Sequence, residues 1–423
     1  MSPTRTTAGN GEDSGSTRSS AAQWSDIPDD LLDNIRLRLD TWRDHASLAS
    51  VCMQWHAALL RTAPPVIPLL LLSPQSRSSR TMRRCIRGPA YCYVIPITDK
   101  AINKCLVGSH DDGWVAAFDF KKHELTVMNL CSGAEVGACG GRLESPISHV
   151  VFSDRPTSIS GCILATITNG SRSIAMCKVG CRQGWTLHDW KNKMFTHIAF
   201  CNGDLYGLTY PDEELIKFKI GMEEDGSPMF ESTHQLAIES PHRPTTEDDP
   251  NEYECYILEL NGKLSMATRD RWLSKHEPFF KIFELVDADD AGDALPHKWM
   301  EVTSFGNYAL FLGPTRSKAV PVPVGAERHG FERNHIYYSK ATRSGETILP
   351  GDEVYSWRCD NNRLMYCRED QSIGDGLERT GYFIAGWGNA AMWIHPPDLY
   401  PKELVTLNMP GDMIPATCCY SFD

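Results

Sequence analysis

The residues best suited to chemistry are cysteines and histidines that could bind zinc. Cys177 and Cys181 are four positions apart, and His188 and His197 follow them. Zinc needs thiolate or imidazole ligands at a spacing that one turn can bring together. No Cys-x-x-Cys pair occurs anywhere in the chain. Cysteines also pack as small hydrophobic residues in strand-rich cores. We favour that interpretation and predict no metal site.

A second candidate is an acidic segment that imitates the start of a calcium loop. Asp287, Asp289, Gly292 and Asp293 have the spacing of the first EF-hand positions. Lys298 stands where the closing bidentate carboxylate is required, and no helical pattern flanks the segment. A solvated acidic loop is the better interpretation. A similar acidic run occurs at 247–252, and we interpret it in the same way.

Sequence signatures of catalysis are missing as well. The chain contains no Gly-x-Ser-x-Gly elbow, phosphate-binding glycine loop or dinucleotide fingerprint. We therefore predict no catalytic residues and no cofactor. One alternative stays open, because propellers also host hydrolases that carry acids around a central channel. Sequence alone does not bring isolated acids together.

Composition narrows the class of protein. The chain has 423 residues, 41% of them hydrophobic, and a net charge of −12. No long basic stripe offsets this charge, so we expect no nucleic-acid ligand. The longest apolar run, 66–72, is far shorter than the ~20 residues that span a bilayer, so we read it as a buried strand. Fifteen scattered cysteines and the lack of a signal sequence predict free thiols in a reducing compartment, the cytoplasm and/or nucleus.

The elements that would position a binding surface begin after a polar tail. Residues 1–23 have almost nothing to bury, which predicts disorder. Residues 24–63 are predicted helical, with Pro28 and two acids in a first turn capped by Ser25 or Asp26. Two apolar stripes follow, one at Leu31, Leu32, Ile35 and Leu39 and the other at Leu48, Val51, Cys52, Trp55 and Leu59. A module of forty residues buries little surface alone, so these stripes favour a partner.

The same residues resemble an F-box. The segment Ile27-Pro28-Asp29-Asp30-Leu31-Leu32, the ladder through Ile35 and Leu39, and Val51-Cys52 with Trp55 match that family's landmarks. The resemblance implies three helices that bind the Skp1 adaptor of a cullin-RING ubiquitin ligase. Two departures are Ile27 in place of leucine and Arg36 at a commonly apolar position. The implied Skp1-binding residues are Ile27, Pro28, Leu31, Leu32, Ile35, Leu39, Leu48, Val51 and Trp55.

The rest of the chain is predicted to be mainly β. Residues 64–90 are interpreted as a linker with a first strand and a basic loop, and 91–423 as a β-propeller. Short runs of alternating hydrophobicity, for example at 163–168 and 216–220, are bounded by turn residues. Three Asn-Gly pairs, at 169–170, 202–203 and 261–262, indicate hairpins. Closing many short strands into a ring avoids exposed edges, and the length allows about six to eight blades.

Landmarks along this β-region resemble plant F-box proteins whose C-terminal half is a KIB-type β-propeller. They include Gly108-Ser109-His110, Leu310-Phe311-Leu312-Gly313 and Trp393-Ile394-His395-Pro396, in that order. The resemblance implies a non-enzymatic subunit of an Skp1–cullin–F-box E3 ligase. Its partners would be an Skp1-like adaptor, cullin through that adaptor, and a protein substrate whose binding residues the sequence does not identify. Two alternatives remain, a hydrolase-like propeller and an Skp1-binding scaffold outside any ligase.

Overall fold

The computed structural model describes the chain in segments. These are residues 27–36, 47–62, 68–72, 81–85, 92–96, 104–239 with short gaps, 253–270, 280–287, 296–322, 331–342, 354–359, 362–369, 378–385, 391–395 and 414–415, together with positions 24 and 38. The tail predicted to be disordered, 1–23, lies outside these segments, as do the proposed capping residues Ser25 and Asp26.

The N-terminal segment is helical, as predicted. Helix α1 spans Asp29–Arg36, helix α2 spans Met53–Thr62, and a helical turn lies between them at 47–49. The carbonyl of Pro28 accepts hydrogen bonds from the backbone N–H groups of Leu31 and Leu32, both at 3.1 Å. At the start of α2, Cys52 Sγ accepts the N–H of Trp55 at 3.4 Å, as an N-cap side chain does.

All other regular structure among the described residues is β, apart from a 3₁₀ turn at Asp111–Gly113. Three sheets of four strands follow one another along the chain. Sheet 2 contains β4 (Cys105–Ser109), β5 (Trp114–Asp119), β6 (Glu124–Asn129) and β7 (Glu135–Val136). Sheet 3 contains β8 (Val150–Phe152), β9 (Ile163–Thr168), β10 (Ser173–Lys178) and β11 (Thr186–Asp189). Sheet 4 contains β12 (Met194–Cys201), β13 (Asp204–Tyr210), β14 (Leu215–Met222) and β15 (Pro228–Gln235).

The remaining strands form three further sheets. Sheet 5 contains β16 (Ile238–Glu239), β17 (Tyr253–Leu260), β18 (Lys263–Asp270), β19 (Phe280–Asp287) and β20 (His297–Glu301). Sheet 6 contains β21 (Tyr308–Leu312), β22 (Lys318–Pro321), β23 (His335–Thr342), β24 (Val354–Cys359), β25 (Asn362–Glu369), β26 (Glu378–Ala385) and β28 (Ile414–Pro415). Sheet 1 joins β1 (Leu69–Leu72), β2 (Thr81–Cys85) and β3 (Cys92–Pro96) to β27 (Ala391–Ile394).

The six sheets close into a ring, which is the arrangement of a β-propeller. Strand β27 contacts β4, β4 contacts β8, β12 contacts β8 and β17, β17 contacts β22, and β23 contacts β27. The ring closes in sheet 1, where Leu69 pairs with Ile394 and Leu72 with Ala391. The segment interpreted as a linker therefore contributes β1 and β2 to the ring. The described end of the apolar run is a strand, Leu69–Leu72, and its first three residues are buried, as predicted.

The number of regular blades differs from the prediction. Sheets 1 to 5 have four or five strands each, which is typical of propeller blades. Sheet 6 has seven strands, and β23 pairs in parallel with both β21 and β26. In a regular propeller, each blade is an antiparallel meander of consecutive strands. Here the two parallel pairs join strands of what would be separate blades into one sheet. The described residues thus form five regular blades and one mixed sheet, instead of six to eight blades.

Two of the three Asn-Gly hairpins are confirmed. Asn202-Gly203 and Asn261-Gly262 have positive φ at both residues, 51° and 85° in the first and 52° and 75° in the second. Each links directly paired strands, as the register Cys201 to Asp204 shows for the first. Asn169 lies outside the described residues. Around it, Thr168 pairs with Ser173, so this loop is longer than a two-residue turn.

The core lies mainly between neighbouring sheets. One cluster joins Ala165, Ile167, Ile174 and Met176 of sheet 3 to Phe195, Leu205, Ile216 and Phe218 of sheet 4. Similar clusters join sheets 1 and 2, 2 and 3, 4 and 5, and 5 and 6. Such packing covers both faces of the sheets, which explains why β5 is buried at nearly every position.

The cysteines only partly follow the expectation of free thiols. Among the described residues, free thiols occur at Cys52, Cys105, Cys162, Cys181, Cys201 and Cys255. Cys177, buried in β10, is disulfide-bonded.

The close contact between β4 of sheet 2 and β8 of sheet 3 allows the packing of neighbouring blades to be tested. A Cβ added at Gly108 in β4 would lie 2.2 Å from the carbonyl oxygen of Val150 in β8. Because backbone cannot yield as a flexible side chain does, we expect Gly108→Ala to destabilise the protein by about 1–3 kcal/mol or more. The midpoint of urea unfolding of the full-length chain measures this. Gly137→Ala is the control, since no heavy atom would lie within 4 Å of its Cβ. Equal midpoints for the two variants would contradict the tight contact.

Candidate functional site

The helical module, which consists of α1, the turn at 47–49 and α2, has a core of its own. Its members are Leu32, Leu48, Ala49, Trp55, Ala58 and Leu59. The indole Nε1 of Trp55 donates a hydrogen bond to the carbonyl of Trp24 at 2.7 Å. Three residues predicted to bind a partner, Leu32, Leu48 and Trp55, therefore lie inside the module and hold its helices together.

A second set of apolar side chains lies on the outside of the module. Leu31, Ile35 and Val51 are 51%, 39% and 56% exposed, and Pro28 is exposed as well. Met53, which was not predicted, is 85% exposed. Leu31 and Ile35 lie one turn apart on the same face of α1. We call Pro28, Leu31, Ile35, Val51 and Met53 the module's apolar surface. Ile27 is half-buried beside the core, and Leu39 lies outside the described residues.

Arg36 does not interrupt this surface. It follows Leu32 by one turn and shares its buried face, with a side chain only 10% exposed. Its Nε and Nη2 both lie 2.7 Å from Asp33 Oδ1, so the helix itself neutralises the charge. The departure from the F-box pattern is therefore accommodated on the side away from Leu31 and Ile35.

A polar cluster lies at the central channel of the ring. Asp111 belongs to the 3₁₀ turn after β4, whereas Arg316 and Lys318 come from the β21–β22 hairpin. Asp111 Oδ1 lies 3.3 Å from Arg316 Nη2 and also pairs with Lys318 Nζ. Arg316 Nη1 lies 3.4 Å from Ser109 Oγ. We call Ser109, Asp111, Arg316 and Lys318 the channel cluster.

The charges inside the channel cluster favour the ionised form of the Asp111 carboxyl group. Burial alone would raise the pKa of Asp111, but Arg316 and Lys318 together lower it well below the ordinary value. Burial lowers the pKa of Lys318, and repulsion from Arg316 adds to this effect. Burial and the two cations also lower the pKa of the neighbouring His110 to about 4. His110 is therefore neutral at pH 7.

The channel cluster is fixed to the strand that closes the ring. Ser109 Oγ donates a hydrogen bond to the carbonyl of Trp393 in β27 at 2.6 Å. Trp393 Nε1 in turn donates to the carbonyl of Leu312 in β21 at 2.9 Å. Three landmarks of the predicted propeller family, around residues 109, 312 and 393, thus meet at one place. They connect sheets 2, 1 and 6.

Two further histidines line the channel. The rings of His149 and His197 lie 6.0 Å apart, and His197 also packs against Tyr256 at 5.3 Å. Burial and the proximity of His197 lower the pKa of His149 to about 3, and burial lowers that of His197 to about 4. Next to them, Glu254 accepts hydrogen bonds from Tyr256 Oη and Arg269 Nη1, at 2.9 and 2.8 Å.

The fold does not bring the candidate zinc ligands of the sequence analysis together. Cys177 is buried and disulfide-bonded, His188 packs among aromatic rings including Phe230, and His197 lies in the channel. No group of three or more His, Cys, Asp or Glu suited to a metal ion occurs among the described residues. Of the acidic loop, Asp287 pairs with His297 at 3.0 Å, Asp289, Gly292 and Asp293 lie outside the described segments, and Lys298 lies in β20. No helix in the described part of the chain is long and apolar enough to span a membrane.

Sequence reasoning did not identify the channel cluster. Asp111 and Arg316 are about two hundred positions apart, and neither belongs to a recognisable catalytic or binding motif. The nearest available signal was the family landmark at 108–110, which marks the position of the cluster without indicating its chemistry.

Comparison with known proteins assigns the β-region. A family model described as the KIB1-4 beta-propeller matches residues 85–372. No curated protein matches the chain. Among solved structures, the β-propeller domain of Cps50 (Swd1) from Myceliophteria thermophila is 14% identical, with a TM-score of 0.29, over 46% of this chain and 61% of that one. YCF48 from Cyanidioschyzon merolae is 12% identical, with a TM-score of 0.31, over 53% and 67%.

These structural similarities are weak. The chain spans less than two thirds of the length of the Cps50 domain, and both TM-scores are below 0.5. The assignment of the family therefore depends on the match of the sequence model, which covers more than half of the chain.

Neighbouring leucines in α1 test the division of the module into core and surface. Leu32→Ala leaves a cavity in the module core, so we expect it to cost about 2–5 kcal/mol locally. Leu31→Ala removes an exposed side chain and should change stability by less than about 0.5 kcal/mol. Amide hydrogen exchange of α1 and α2 in the full-length chain measures both. Similar loss of protection in the two variants would contradict the assignment.

The channel histidines predict a dependence of stability on pH. Because the pKa values of His149 and His197 are lowered on folding, the unfolded chain binds more protons below about pH 6.5. Their contribution is complete above pH 6.5 and decreases as pH falls toward 4. We expect the unfolding free energy to drop by about 1.4 kcal/mol per pH unit for each histidine in this range. His197→Gln should have a shallower slope, whereas the exposed His234→Gln should keep the wild-type slope. A slope unaffected by His197→Gln would exclude the linkage.

Proposed function

The chain belongs to the KIB1-4 β-propeller family, and we propose that it is the substrate-recognition subunit of an Skp1–cullin–F-box E3 ubiquitin ligase. In this proposal, residues 24–63 are an F-box that binds an Skp1-like adaptor, and cullin joins through the adaptor. The propeller binds a protein substrate. The protein acts in the cytoplasm and/or nucleus.

One observation carries the proposal, namely the exposed apolar surface of the helical module. Leu31, Ile35, Val51 and Met53 are exposed although the module already has a filled core. Exposed apolar side chains are unfavourable in water, and neighbours on one helix face, such as Leu31 and Ile35, mark interaction sites. Four of the predicted Skp1-binding residues, Pro28, Leu31, Ile35 and Val51, belong to this surface. The buried Leu32, Leu48 and Trp55 support it from beneath.

The proposed role requires no bond chemistry in this chain. A substrate receptor accelerates ubiquitin transfer by holding the substrate lysine near the charged enzyme, which raises its effective concentration. A propeller suits this role because it is a rigid ring whose loops present a broad surface. A propeller domain is in general a platform for protein–protein interaction, and the family match supports this part of the proposal.

Capture of the adaptor tests the module's apolar surface. We expect the full-length chain, co-expressed with an Skp1-like adaptor, to retain it on affinity resin. Leu31→Ala combined with Val51→Ala should reduce retention at least tenfold, because both side chains are exposed and would be buried by the adaptor. Pro28→Ala with Leu31→Ala should have a similar effect.

The matched control removes similar apolar side chains from the propeller. Ile159 and Leu187 are also exposed, so Ile159→Ala with Leu187→Ala should leave retention unchanged. Equal retention of the adaptor by all variants would refute the assignment of the surface.

Reconstitution separates a ligase subunit from a scaffold. A complex of the chain with adaptor, cullin, a RING subunit and a charged conjugating enzyme should transfer ubiquitin to proteins captured by residues 64–423. Transfer should disappear when Leu31→Ala with Val51→Ala replaces the wild type. Stable adaptor binding without any transfer would favour the scaffold.

A further inference from the structure

A cavity of about 350 Å³ occupies the central channel, between the inner strands of several sheets. This volume falls within the usual range of small-molecule sites. Its wall includes the channel cluster at one side and inner-strand residues of sheets 3, 4 and 5 at the other. Nothing in the proposed ligase function requires such a cavity.

The polar side of the cavity carries more positive than negative charge. Arg316 and Lys318, with side chains 15% and 27% exposed, share the single carboxylate of Asp111. Ser109 contributes only a neutral hydroxyl, whose proton is donated to Trp393. Glu259 also lines the cavity, but it is exposed to solvent. The two partly buried cations can therefore accommodate one additional negative charge.

A buried donor without an acceptor points to the same place. Thr315 lines the cavity and is 1% exposed, and its hydroxyl has no hydrogen-bond partner within the described residues. His110 Nδ1 is likewise buried and lacks a partner there. A buried polar group without a partner is unfavourable, and a bound ligand that supplies the missing hydrogen bond removes this cost. Thr315 immediately precedes Arg316, so its hydroxyl and the guanidinium belong to one loop.

The opposite wall of the cavity is formed by the inner strands, where the neutral rings of His149 and His197 lie among apolar residues. Val150, Phe152, Ile198, Phe200 and Ile257 line it from β8, β12 and β17. A pocket that combines a few convergent charged and hydroxyl groups with aromatic and apolar residues is typical of sites for small organic ligands.

We propose that this cavity binds a small organic anion, with a carboxylate or phosphate group held by Arg316, Lys318 and Thr315 and an apolar or aromatic body against the inner strands. Arginine and lysine recognise such oxyanions through charge-assisted hydrogen bonds. The Thr315 hydroxyl gains the acceptor that it otherwise lacks. The bound anion neutralises the excess charge beside Asp111.

Calorimetric titration of the full-length chain tests the site with simple probes. Phenyl phosphate and benzoate carry the two head groups on the same ring, and benzyl alcohol is the neutral control. We expect one or both anions to bind at least tenfold more tightly than benzyl alcohol. The preferred anion identifies the head group. Inorganic phosphate should bind more weakly than phenyl phosphate, because it lacks the ring. Absence of binding by both aromatic anions at millimolar concentration would overturn the proposal.

Thr315→Val separates binding from folding. The variant replaces an unpaired buried hydroxyl with a methyl group, so its thermal midpoint should be equal to or higher than that of the wild type. Its affinity for the preferred anion should nevertheless fall about fivefold to tenfold. Unchanged affinity would show that the hydroxyl does not contact the anion and would refute the site.

Asp111→Asn provides a gain-of-affinity test. Removal of the competing carboxylate leaves both cations available, so we expect severalfold tighter binding of the anion. Arg316→Gln should weaken it at least tenfold. A purely structural ion cluster would instead make both variants less stable and leave the affinity for the probes unchanged, and this result would overturn the proposal.

Discussion

Ring closure is the constraint on which the rest of the structure depends. The first described strand of the β-region, β1, pairs with β27 near the other end of the chain. This pairing completes sheet 1 between sheets 6 and 2, where β27 contacts β23 and β4 and an apolar cluster packs sheet 1 against sheet 2. Closing so long a loop costs chain entropy, which only the cooperative burial around the ring offsets.

The hydrogen bonds around Trp393 show how this closure is secured. Its carbonyl accepts from Ser109 and its indole donates to Leu312, so one residue connects the two sheets that flank sheet 1. The salt bridges from Asp111 to Arg316 and Lys318 span the same junction. The channel cluster therefore exists only in the closed ring. Its chemistry and the stability of the fold are products of the same long-range contacts.

In the helical module, the proposed function would depend on the apolar side chains that the local fold leaves exposed. The two adjacent leucines of α1 differ in burial, because Leu32 lies in the core and Leu31 lies on the surface. The helical period separates them, because successive residues lie 100° apart around the axis. Of the nine predicted residues, Leu32, Leu48 and Trp55 thus stabilise the module, whereas four others are exposed and remain available to a partner.

The sequence by itself determined the helical N-terminal segment, the predominance of short strands, the propeller architecture and two Asn-Gly hairpins, since these depend on local periodicity and turn chemistry. It also indicated the apolar residues of the module, but not which of them are buried. Tertiary structure alone decided the blade arrangement, in which β23 pairs in parallel with two other strands, and the disulfide at Cys177. It also decided the meeting of Asp111, Thr315, Arg316 and Lys318 at the channel. Residues about two hundred positions apart carry no mutual signal in the sequence, because their proximity is created by the closed ring.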